Sequence, residues 1–96
     1  MTMTTRPRIA SADMAERRRT MELRRRQAIA ELAAQRRATG LSQTDIAARM
    51  GTSQSAIARL EAGDGDVRAT TLERYAAAIG CEISWFVRGP GAVPLT

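Results

Sequence analysis

Gln54, Ser55 and Arg59 are the residues whose types and spacing point to chemistry. If the chain around them is helical, they share a face with Ala58 and Ala62, opposite Ile57 and Leu60, and point away from a core toward a ligand. An amide, a hydroxyl and a guanidinium on one face suit recognition by hydrogen bonding. Catalysis is not expected. The chain has no histidine and one cysteine, Cys81. It has no Gly-rich phosphate loop, and its nearest approach to a carboxylate pair, Asp64 and Asp66, reads as the solvated part of a turn. Without a His or a second Cys there is no zinc site, and no cofactor is expected.

Charge indicates what the ligand is. All fifteen basic residues are arginine, and against ten acids they leave a net charge of +5, which favours an anionic partner. The excess is uneven: residues 1–38 hold ten arginines and four acids, whereas residues 39–96 hold five and six. The basic footprint therefore precedes the segment carrying Gln54. Arg17 to Arg19 and Arg24 to Arg26 read either as a solvated helix face or as phosphate contacts. No apolar run is long enough to span a membrane and no signal-peptide pattern follows Arg6 and Arg8, so a cytoplasmic protein without a membrane partner is expected.

The elements that must position these residues can be read from pattern and punctuation. With three aromatic residues and an apolar content dominated by Ala, Leu, Ile and Met, the chain is expected to be mainly α. Residues 1–12 read as a flexible arm and residues 13–38 as a basic helical region, formed by one long helix or two abutting ones. Its second half carries a core-facing stripe of Ala28, Ile29, Leu32, Ala33 and Arg36; its first half has none. Residues 39–80 read as the next unit. Ser42 and Asp45 form a capping-box pattern before a helix over 43–50, Gly51 makes a turn, and Thr52 or Ser53 caps a helix ending at Glu61. Thr70 or Thr71 is expected to cap a further helix bearing Leu72, Tyr75, Ala76 and Ile79, stopped by Gly80. Residues 81–88 alternate as a strand does, and residues 89–96 form a flexible tail. No second strand is apparent, so the strand is expected to pair with its copy in a twofold mate, with Ile83, Trp85 and Val87 at the dimer interface.

Within residues 43–61, Ile46, Ala47, Met50, Ile57 and Leu60 are the core-type positions, with small Ala47 at the helix crossing and Gly51 at the turn. This pattern resembles the helix-turn-helix of the Cro and phage-repressor superfamily, the xenobiotic-response-element type. The run from Met50 to Gly63 is similar to the recognition segment of HigA-type antitoxins. With the long N-terminal helix and the short C-terminal strand read above, the resemblance implies a five-helix-type domain. It also implies double-stranded operator DNA as partner, with the 54–61 helix in the major groove. On that fold Gln54, Ser55 and Arg59 become candidates for base contacts, the amide suiting adenine and the guanidinium guanine. Gln43, Thr52, Ser53 and Arg68 become candidates for the phosphate backbone, Thr52 and Ser53 serving equally well as caps. A dimeric autorepressor follows, and an antitoxin that neutralises a RelE-like toxin is compatible with it. The alternative is a phage or plasmid regulator with no toxin partner.

Overall fold

The computed structural model describes residues 11–63 and 65–89, together with the backbone of Pro94 and Leu95. The arm expected over residues 1–12 falls outside this range, apart from Ser11 and Ala12, which are already helical. Four helices follow in order: α1 Ser11–Ala38, α2 Gln43–Met50, α3 Gln54–Glu61 and α4 Ala69–Ile79. An antiparallel pair, β1 Val87–Arg88 with β2 Pro94–Leu95, closes the chain.

Helix α1 is uninterrupted because no Gly or Pro falls within it, and its ends carry charges that suit the helix dipole, Asp13 first and Arg36 and Arg37 last. Only its second half is anchored. Ile29, Leu32 and Ala33 enter a core shared with Ile46, Ala47 and Met50 of α2, Ile57 and Leu60 of α3, and Leu72, Tyr75, Ala76 and Ile79 of α4. Before Ile29 no residue of α1 is buried.

Local chemistry fixes the angle between α2 and α3. Ser42 accepts from the Asp45 amide while the Asp45 carboxylate accepts from the Ser42 amide, completing the capping box. These bonds hold the Asp45 carboxyl below its ordinary range. At the other end Gly51 adopts φ +67°, and the Thr52 and Gly51 amides donate to the Ala47 and Ala48 carbonyls, a left-handed termination that glycine adopts without strain. Ser53 then caps α3 by accepting from the Ala56 amide. Nothing lies within 4 Å of a Cβ placed at Gly51. Gly51→Ala is therefore expected to cost about 1 kcal/mol through backbone conformation alone. Urea unfolding would check this, and an unchanged midpoint would mean the turn relaxes freely.

Several expectations are corrected. There are four helices among the described residues rather than five, because α1 does not break and nothing helical follows Gly80. Neither Thr70 nor Thr71 caps α4; the cap position is Arg68, which makes no side-chain bond there. The expected strand over 81–88 reduces to Val87–Arg88 among the described residues, and it has a partner within the chain, Pro94–Leu95, where none was expected. The alternation from Cys81 to Ile83 lays an extended segment on the helical core: both side chains are half-buried against it. Beyond Ile83 the alternation in burial stops. No helix of the described residues is long and apolar enough to cross a membrane.

Candidate nucleic-acid interface

The end of α3 is held by a buried polar cluster. Arg36, 8% exposed, donates from Nε to Glu61 Oε2 at 2.6 Å and from Nη2 to Glu61 Oε1 at 2.9 Å, a bidentate pair linking α1 to α3. Its Nη1 donates to the Leu41 carbonyl at 2.9 Å, which ties down the loop entering α2. The Tyr75 hydroxyl of α4 donates to Glu61 Oε2, so one carboxylate joins three helices. Burial alone would raise the Glu61 pKa, yet the bonds donated by Arg36, Tyr75 and Gln43 outweigh it and hold the carboxyl below its ordinary range. Burial and the adjacent carboxylate push the Tyr75 phenol above its own range, and the bond to Glu61 strengthens the protonated state of Arg36.

From this cluster a relay runs outward to the surface. Gln43 Nε2 donates to Glu61 Oε1 at 2.9 Å, and Gln54 Nε2 donates to Gln43 Oε1 at 2.6 Å. A carboxylate can only accept, so the half-buried Gln43 amide has one workable orientation: nitrogen toward Glu61, oxygen toward Gln54. Gln54 must then use one N–H inward. Its carbonyl oxygen and second N–H, uncommitted among the described residues, remain on an exposed side chain as a donor beside an acceptor.

The other expected site residues fall into two groups. Gln54, Ser55 and Arg59 are exposed on α3, with Ile57 and Leu60 buried behind them. The Ser55 and Ser53 hydroxyls are 3.1 Å apart, and Thr52 is exposed at the turn leading into α3. Thr52, Ser53, Gln54, Ser55 and Gln43 come together around the start of α3, and Arg59 lies in its last turn. Arg68 is exposed at the start of α4. Ile83 is half-buried against the core, whereas Trp85 and Val87 are exposed; the Trp85 indole donates to Glu73 at 2.8 Å. Asp66 faces Arg25, and Asp64 lies outside the described residues.

A family model described as helix-turn-helix matches residues 32–86. The chain belongs to that family. The helix-turn-helix match reaches back into α1 and so includes the Arg36 that pairs with Glu61, and it supports the Cro and phage-repressor superfamily. It makes the chain a DNA-binding transcriptional regulator, with double-stranded DNA as ligand. No curated protein and no solved structure matches the chain. Sequence reading missed the roles of Glu61 and Tyr75. A signal did exist: Arg36 sits in an apolar stripe, and a buried guanidinium demands an acid.

Proposed function

We propose that this helix-turn-helix protein is an autorepressor that binds a palindromic operator as a homodimer. The observation that carries the reading is the surface of α3: Gln54, Ser55 and Arg59 exposed together on a short helix braced through Glu61, with Gln54 pre-oriented by Gln43. In the major groove Gln54 would offer its acceptor and N–H to adenine N6 and N7, and Arg59 would fork onto guanine O6 and N7. Ser55 would serve a base or a phosphate. Thr52, the Ser53 hydroxyl, the second N–H of Gln43, and Arg68 would hold the backbone.

Dimerisation is supported by an exposed apolar surface at Trp85, Phe86 and Val87, of which Phe86 is 77% exposed. This surface replaces the continuous strand as the reason to place the interface in residues 81–88. An antitoxin function would add a toxin partner and leave the α3 surface unchanged.

Selection from a pool of random-sequence duplexes tests the proposal. The enriched sequence is expected to be palindromic, with half-site centres about 10 bp apart, and to occur upstream of the protein's own gene. Arg59→Ala should lose about 1–3 kcal/mol on that sequence and much less on random DNA. Equal loss on both would reassign Arg59 to the backbone, and absence of any enrichment would overturn the reading.

A further inference from the structure

The N-terminal half of α1 places no residue in the core. Residues 17–26 carry six arginines and one acid, Glu22, and none of these residues is buried. Ten residues of helix span about 15 Å, so the run presents close to one positive charge every 3 Å. Among the described residues these six arginines make one ion pair, Arg25 with the fully exposed Asp66 at 3.8 Å. An exposed pair of that length contributes little.

The run is nevertheless rigidly placed with respect to the recognition helix. The same helix is locked into the core at Ile29, Leu32 and Ala33 and is bonded to the end of α3 through Arg36. Arg25 and Arg26 lie against the segment that leaves α3: the Arg26 Cγ would be 3.6 Å from a Cβ on Gly63. The run therefore moves as one body with α3, and duplex continuing past the segment that leaves α3 would meet it.

We propose that residues 17–26 bind the phosphate backbone of duplex flanking the base-read site, extending the footprint by about four base pairs per protomer. This rests on the DNA-binding reading above. Charge complementarity selects the occupant. A second copy of the run would meet it with the same excess of arginine. A protein partner needs an apolar anchor, but the only large apolar residues in the run, Met21 and Leu23, are two positions apart and fall on nearly opposite sides of the helix. Phosphates require neither a stripe nor a pocket, and arginine is well matched to them.

The test uses the full chain and two duplexes: the sequence enriched from the random pool alone, and the same sequence with ten added base pairs on each side. The native protein should bind the longer duplex roughly tenfold more tightly. A variant combining Arg17→Gln, Arg18→Gln and Arg19→Gln should lose that advantage while keeping its affinity for the short duplex. Its log affinity should depend on log salt less steeply, by about 0.9 for each phosphate contact removed. Replacing the same three arginines with lysine should retain the advantage, and unchanged circular dichroism would show α1 intact in both variants. A glutamine variant that matches the native protein on the longer duplex would overturn the proposal. So would equal losses on both duplexes, which would move the arginines onto the operator itself. If the native protein prefers neither duplex to random DNA, the operator-binding reading fails instead.

Discussion

Glu61→Ala is expected to lower folding stability by about 3–5 kcal/mol, a large part of what a domain of this size possesses. Removing the carboxylate leaves the Arg36 guanidinium buried without its bidentate partner and the Tyr75 hydroxyl without an acceptor. It also frees Gln43 from the contact that fixes its amide. Glu61→Gln should cost less, because the shape survives and the charge does not. The two variants also differ from the native protein in their response to acid. The folded Glu61 carboxyl titrates below its ordinary value of 4.5, so the unfolded chain takes up this proton first as pH falls. The stabilisation is complete above that ordinary value and is lost as pH drops through the depressed folded one. Urea unfolding of the native protein should show this acid-side decline. The contribution should be missing from Glu61→Gln, and identical pH profiles would show that the cluster does not depend on the charge.

Sequence reading located the parts of this molecule whose signals are local. Ser42 and Asp45 signal a cap by spacing alone, Gly51 signals the turn, and Ile57 and Leu60 show which side of α3 is buried, hence which side carries Gln54 and Arg59. The misreadings arose where long-range packing overrides local pattern. Alternation from Cys81 onward looks like a strand because Cys81 and Ile83 are turned inward, yet what they meet is a helical surface that offers no backbone ladder. The partner of Val87 and Arg88 lies beyond Pro90, in a segment whose Gly and Pro content reads as a tail. Glu61 and Tyr75 were beyond reach for a similar reason. Arg36 announces that an acid must face it, but choosing Glu61 among ten acids requires the crossing of α1 over the end of α3.

The second large effect concerns specificity. Gln54→Ala should cost about 1–3 kcal/mol at a single base pair of the operator, measured as the ratio of affinities for the selected base and its alternatives. Stability should hardly change, because Gln54 is exposed. Gln43→Ala should impair discrimination at that same base pair, although Gln43 need not touch the base. Without the Gln43 oxygen nothing directs the Gln54 nitrogen inward, and its amide can present either end to the groove. On the proposed function the two residues act as one reading unit, its orientation imposed by the Glu61 carboxylate. A double-mutant cycle separates this relay from two independent contacts. If the relay operates, the Gln43→Ala loss at that base pair disappears once Gln54 is already alanine, giving strongly sub-additive effects. If the losses add, Gln43 reads that base pair independently of Gln54; if Gln43→Ala costs no discrimination at all, Gln43 contributes through the phosphate backbone alone and the orientation of Gln54 is set by the DNA itself.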